Sequence, residues 1–432
     1  MKRILIISFC TISLSGYSQQ RLSLPDAVSI ALKNSYDIQL AKNGLEISSI
    51  NNHIGIAGGL PVVNGTINDN EQLTTINQKF SDASRNARRS NVGSNNLTAG
   101  VTGSILLFNG FRVVTTKKRL EELQQQNQQL LNAQIQNTIA AVTTRYYDVV
   151  RQQSYRKTLT QSIDVSKQRL SILQIRKEVG MSNNADIFQA QLDLNGLQQT
   201  QQSQELVIDQ AKTDLLNLIA VNPDTTLVII DTIIIDKTVK LENIRSALQN
   251  NPELLAASQQ VTINELIERE TGALRYPIVR ASTGYNFTNS RSAAGFSLLN
   301  QSYGPFVGIN IGIPIYNGGI AKRQQRVASI NTRSANIIRD NLYLDFETAA
   351  VRNYQSYVNT LQQLETEQKN YLLSQQLLDL VLQRFQLGQA TIIDVKLAQQ
   401  SFENAGFRLV NLNYAAKVAE IELKRLANLL AL

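Results

Sequence analysis

The 432-residue chain has no Trp, one Cys and one His. A single thiol excludes a disulfide framework. A single imidazole without a Cys partner leaves no zinc-ligand spacing. The sequence has no P-loop, no dinucleotide fingerprint and no G-x-S-x-G elbow. A Ser/His/Asp triad could use only His53, which has no counterpart in the second half of the chain. These absences point away from an enzyme and from any metal or cofactor. After residue 18 no stretch approaches the run of about 20 apolar residues that a spanning helix needs. A mature chain that crosses a membrane must therefore do so as a β-barrel.

Proline is missing from long windows. All seven prolines are Pro25, Pro61, Pro223, Pro252, Pro277, Pro305 and Pro314, so none lies between 62 and 222 or after 314. These windows are rich in Gln, Leu, Lys and Ala, which favour helix. A helix from about 112 to 179 would be roughly 100 Å long at about 1.5 Å per residue.

Residues 1–18 read as a secretory signal. Lys2 and Arg3 precede the apolar segment Ile4–Cys10, and small residues follow at Ser13, Ser15, Gly16 and Ser18. Cleavage would remove Cys10 and leave a mature chain with no thiol. The net charge of +8 comes from 42 basic and 34 acidic residues scattered along the chain. With secretion, that scatter argues for solvated helix faces and against nucleic acid as a partner.

The chain is written twice. Ala31-Leu32-Lys33-Asn34 returns as Ala247-Leu248-Gln249-Asn250, and Pro61-Val62-Val63 as Pro277-Ile278-Val279, at an offset of 216. Phe108-Asn109-Gly110 returns as Tyr316-Asn317-Gly318, Gly180 and Asp186 as Gly388 and Asp394, and Leu218 as Leu426, at an offset of 208. The offset changes once, between Pro61 and Phe108, where the first copy carries a longer polar segment. The expected organisation is a first repeat over 19–220, an equatorial linker with a short strand over 221–240, and a second repeat over 241–432.

Each copy holds a pair of alternating segments. Leu97, Ala99, Val101, Gly103, Ile105 and Leu107 share one face of the first copy, and Val307, Ile309, Ile311, Ile313 and Ile315 share one face of the second. The strand pairs are expected at about 60–108 and 277–316, with extracellular loops at 69–96 and 289–302. Apolar residues opposite small or polar ones suit lipid outside and water inside. A soluble sheet with one wet face shows the same pattern. Four strands cannot close a barrel, and two chains would give a filled one. Three chains would leave a lumen.

Long helices are expected over about 111–220 and 318–430. Val395, Ala398, Phe402, Ala405, Leu409, Leu412, Ala416, Ala419, Leu423, Leu426 and Leu430 form a coiled-coil seam. The first copy repeats it, with Gln201 and Gln204 as polar interruptions. Val179-Gly180 and Leu387-Gly388 read as helix stops with Gly in the left-handed position. Asn183-x-x-Asp186 and Thr391-x-x-Asp394 then read as capping boxes.

This order of motifs resembles the TolC-type outer-membrane efflux protein family over essentially the whole mature chain. The resemblance implies an α+β membrane protein with four β-strands per chain, a trimeric 12-stranded barrel and a long antiparallel coiled-coil α-helical periplasmic barrel. It implies an outer-membrane exit duct for efflux or type I secretion, extending into the periplasm. Its partners would be a homotrimer's other copies, outer-membrane lipid, a periplasmic adaptor and an inner-membrane RND or ABC transporter. Asp394, Asp186 and Phe385 would lie at the periplasmic entrance; Gly180, Gly388, Arg176 and Arg384 would frame the adaptor-contact tips. Leu397, Phe385 and Ala390 depart from the best-known member's second aspartate, Tyr and Arg, so its full ionic lock does not transfer. Helix capping by Asp394 is an equal reading of that carboxylate. A secreted coiled-coil structural or adhesive protein is the alternative function.

Overall fold

The computed structural model describes residues 20–293 and 298–430. The leader expected over 1–18 lies outside them. The helices are α1 (Leu24–Asn34), α2 (Tyr36–Asn51), α3 (Arg112–Glu178), α4 (Asn184–Leu218), α5 (Leu241–Ala247), α6 (Pro252–Gly272), α7 (Ile320–Gln386) and α8 (Ile392–Leu426). The strands are β1 (Gln20–Arg21), β2 (Val62–Gln78), β3 (Ala87–Phe108), β4 (Leu227–Val228), β5 (Ile278–Ser292) and β6 (Leu299–Gly312).

The repeat is present in the backbone. Helices α3 and α7 both have 67 residues, and α4 and α8 both have 35, each pair displaced by 208. The strand-to-helix junctions also match. Gly110 and Gly318 have φ of 70° and 66°, and the residues after them, Phe111 and Gly319, have 62° and 74°. Phe111 therefore holds a left-handed conformation that its counterpart meets with glycine. Its ring packs edge-on against Phe108 at 5.6 Å.

The chain divides into two compact units: 1–41, 132–252 and 344–432 in one, and 42–131 and 253–343 in the other.

The second unit carries a four-stranded antiparallel sheet in the order β2-β3-β5-β6. Its register aligns the apolar residues of all four strands on one face. Val63 pairs with Gly103, Gly103 with Thr283 and Thr283 with Val307; Ile105 pairs with Ala281 and Ala281 with Ile309. Val63, Ile67, Val307, Ile309 and Ile311 are exposed. The other face carries Asn64, Thr102, Ser282, Asn310 and their neighbours. An exposed apolar face of this extent opposite a polar one is the pattern of a barrel wall between lipid and water.

The first strand pair differs from expectation at its far end. Most of the segment 69–96 is paired strand, with Asp69 through Thr74 opposite Leu97 through Val92 and a short 3-10 turn at Ala83–Arg85. Both faces there are polar, so the alternation that marks a half-buried strand is absent from the sequence. The strands are held by ladder bonds and by polar cross-strand contacts such as Asn95 Nδ2 to Asp69 Oδ1 at 2.6 Å. Strand likewise covers most of the described part of 289–302.

In the first unit, two apolar clusters gather around the short helices, one for each copy. In the first, Ala27, Val28 and Ala31 of α1 pack with Val142, Tyr146 and Val149 of α3 and with Leu215 and Leu216 of α4. In the second, Ile244 of α5 and Leu248 pack with Ala350 and Tyr357 of α7 and with Leu423 and Leu426 of α8. The linker strand β4 pairs in parallel with β1. The coiled-coil seam is buried at Val395, Ala398, Phe402, Ala405, Ala416, Ala419, Leu423 and Leu426. At the polar interruptions, Gln204 Nε2 donates to Gln152 Oε1 at 2.9 Å and Gln201 Nε2 to Thr160 Oγ1 at 3.2 Å. Hydrogen bonds to α3 therefore replace apolar contact there.

Candidate functional site

The turns that end α3 and α7 share one construction. Gly180 and Gly388 have φ of 78° and 79°. The amide of Met181 donates to Arg176 O at 2.7 Å and that of Gly180 to Lys177 O at 3.0 Å. In the second copy Gln389 N donates to Arg384 O at 2.8 Å and Gly388 N to Phe385 O at 3.1 Å. This is the paired closure that satisfies the last carbonyls of a helix through a left-handed residue.

The helices that follow begin differently. Thr391 Oγ1 accepts from Asp394 N at 3.2 Å, and Asp394 Oδ2 accepts from Thr391 N and Thr391 Oγ1, both at 2.8 Å. That capping box is complete. At the first turn Asn183 Oδ1 accepts from Asp186 N at 2.9 Å, without the return bond from Asp186. The box read at Asn183 and Asp186 is thus a one-sided cap. The backbone at the two N-caps differs, with φ of −114° at Asn183 and −91° at Thr391. The bonds from Thr391, together with the Arg384 charge, hold the exposed Asp394 carboxyl below its ordinary range. Asp394 is therefore ionised at neutral pH.

Phe385 is 1% exposed and packs with Leu173, Ala190 and Val395. Within the chain its place is between the two helix pairs. Arg176 reaches the same point from α3. Its guanidinium lies 4.6 Å from the centre of the Phe385 ring, and its Nη2 donates to Phe385 O. The same nitrogen stands 3.8 Å from where a Cβ on Gly388 would sit. Arg176, Phe385 and Gly388 are thus brought together. Arg384, the counterpart of Arg176, instead donates to Gln389 O of its own turn at 3.4 Å. Equivalent positions in the two copies carry different contacts.

Three charged residues near the turns escaped the sequence reading. Arg169 of α3 is 1% exposed and pairs through Nη2 with Asp193 Oδ2 of α4 at 2.8 Å. Lys396 of α8 donates to Asp193 Oδ1 at 3.0 Å, and Gln189 Nε2 to the same oxygen at 2.9 Å. Burial pushes the Asp193 carboxyl up, but the bonds from Lys396 and Gln189 and the Arg169 charge outweigh it and hold the group low. The only available signal was that Arg169 falls in the helical period of Thr158, Ser162 and Ser166. Its partner on α4 could not be read from that.

Among the described residues no helix is long and apolar enough to cross a membrane, and no cluster of His, Cys, Asp and Glu is arranged to hold a metal. A sheet with one exposed apolar face, in tandem copies that each add a 67-residue helix and a 35-residue partner, defines a membrane-channel subunit. The chain belongs to the outer membrane efflux protein family, whose pattern matches residues 27–221 and 243–429, one segment per repeat. It is 24% identical over 340 residues to outer membrane protein TolC of Vibrio cholerae, covering 76% of each chain. It is 21% identical over 362 residues to outer membrane protein TolC of Escherichia coli, covering 80% of this chain and 71% of that protein. Its fold is similar to the crystal structure of outer membrane protein VceC from Vibrio cholerae, with a TM-score of 0.75 at 16% identity over 94% of this chain and 95% of that one. The protein is an outer-membrane efflux or secretion channel that extends into the periplasm, and it is not an enzyme.

Proposed function

We propose that three copies of the chain assemble into one 12-stranded barrel continued by a helical periplasmic tunnel. The observation that carries this is the sheet. Its apolar face is exposed across all four strands, while β2 and β6 are its outer strands and four strands are too few to close. A lipid-exposed sheet edge does not persist in a bilayer, where each backbone group must be paired within protein. Pairing β2 of one copy with β6 of the next removes every edge, and twelve strands leave a lumen where eight would be filled by side chains.

In this reading the paired turns form the periplasmic entrance. Asp394 and Asp186 supply acidic groups there, with Phe385 packed behind them. The turns at Gly180 and Gly388, with Arg176 and Arg384, meet a periplasmic adaptor. An inner-membrane RND or ABC transporter supplies the energy, and the duct conducts passively. Residues 1–18 act as the export signal.

The purified full-length protein tests the assembly. It should migrate as a trimer that dissociates on heating, and it should conduct as single channels in planar bilayers. A soluble, monomeric, non-conducting product would sink the reading.

A further inference from the structure

The polar face of the sheet is almost free of charge. Its cross-strand rows run from Leu106, Arg280 and Asn310 at one end to Asn96, Ser290 and Asn300 towards the other. In all of these rows Arg280 is the one charged side chain. Strands β3, β5 and β6 contain no Asp or Glu. The two acids of β2, Asp69 and Glu71, fall on the same face as Val63 and Ile67, because successive side chains of a strand alternate. Arg280 is exposed, and among the described residues no group bonds to its guanidinium or pairs with it.

Its place in the fold suits a lumen. Arg280 lies near the start of β5, at the end of the sheet from which α3 and α7 leave. A β-bulge between Leu106 and Phe108 ends the regular ladder beside it, and bulges are common at barrel rims. The next row of the same face holds Ser104, Ser282 and Gly308, which are too small to cover a guanidinium. The offset of 216 makes Asn64 the counterpart of Arg280, so the charge is placed once per chain and not once per repeat. Arginine stays protonated in proteins, and its planar fork matches carboxylate and phosphate oxygens. Rings of such cations give pores a preference for anions.

We propose that Arg280 sets the charge preference of the barrel lumen: three copies form a positive collar that favours anionic solutes of the carboxylate, sulfate or phosphate class. This rests on the trimeric channel reading above. The test is the potassium-to-chloride permeability ratio of the full-length protein, taken from reversal potentials in planar bilayers under a KCl gradient, with chloride as the anionic probe. Exposed charges act over the Debye length, about 30 Å at 0.01 M salt and about 3 Å at 1 M. Arg280→Gln should therefore raise the ratio at least about threefold in dilute salt, near 0.01 M, and leave it little changed near 1 M. Asn64→Arg supplies a cation at the equivalent site of the other repeat. The double variant, Asn64→Arg with Arg280→Gln, should accordingly return to the wild-type ratio, a rescue that a merely structural role for Arg280 would not allow. If Arg280→Gln alone does not assemble, its effect is read as the difference between the double variant and Asn64→Arg. A conducting wild type whose ratio is unaltered by the loss of Arg280, or altered equally in dilute and concentrated salt, overturns the proposal. A wild type that does not conduct overturns the channel reading itself.

Discussion

The Asp394 carboxylate completes the cap of α8 and, in the proposed trimer, faces the entrance. Two substitutions separate these duties. Thr391→Ala removes the hydroxyl of the capping box and should destabilise the start of α8 by about 1 kcal/mol, seen as faster amide exchange in its first turn. It should leave ion selectivity in place. Asp394→Asn removes the charge and should shift the reversal potential in a salt gradient away from cation preference. The pH dependence follows from the direction of the shift. The bonds from Thr391, with the Arg384 charge, place the carboxyl below its ordinary value of 3.8. Cation preference should therefore persist as pH falls to that value, and disappear only below it, as the carboxylate takes up a proton. At Gly388, with φ of 79°, an added Cβ enters the left-handed region at a cost of about 1–2 kcal/mol. Gly388→Ala should accordingly speed exchange of the amides that close the end of α7, while leaving the middle of that helix unchanged.

The long elements were legible because their causes are local and repetitive. Proline-free windows and a three-four apolar step mark α7 and α8, and the observed burial of Val395, Ala398, Phe402 and Ala405 follows that step. Phe402 is 3% exposed against Leu378 and Ala398. Phe402→Ala should cost about 3–5 kcal/mol, measured as a lower thermal midpoint of helix content by circular dichroism. The exposed neighbour Leu397 lies outside the seam, and its replacement by Ala should change that midpoint far less. The strands of 69–78 and 87–96 were not legible, because an element with two polar faces has no period-two signal. The contacts of Arg176 and Arg169 were hidden for another reason. Their partners Phe385 and Asp193 lie on other helices, and repeat symmetry misleads here. Position 384 is the copy of 176, yet Arg384 bonds within its own turn whereas Arg176 crosses to α7. The repeat thus specifies backbone more strictly than side-chain contacts, and the candidate site lies where the two copies diverge.

For the whole molecule, the sheet edges decide what the chain must do. An exposed strand edge pairs with whatever strand is offered, and in lipid the need is absolute. The outer strands β2 and β6 belong to different repeats, so a copy-to-copy contact through them is head-to-tail. Such a contact closes into a ring or continues as a filament, depending on its rotation. An approximate twofold repeat in each chain favours closure, because each β3–β5 junction inside the chain already turns the sheet by the amount that the β6–β2 junction must supply. Cys10 is the single Cys of the sequence and falls within the proposed leader, whose removal would leave a thiol-free background. Paired cysteines introduced at polar-face positions of β2 and β6, scanned around Asn64 and Asn310, should cross-link between chains and yield a covalent trimer on denaturing gels. Pairs placed across the internal β3–β5 ladder, such as Ser104→Cys with Ser282→Cys, which face each other in register, should close within a single chain. If every β2–β6 pair cross-links only within its own chain, the sheet closes on itself and the three-chain barrel is wrong.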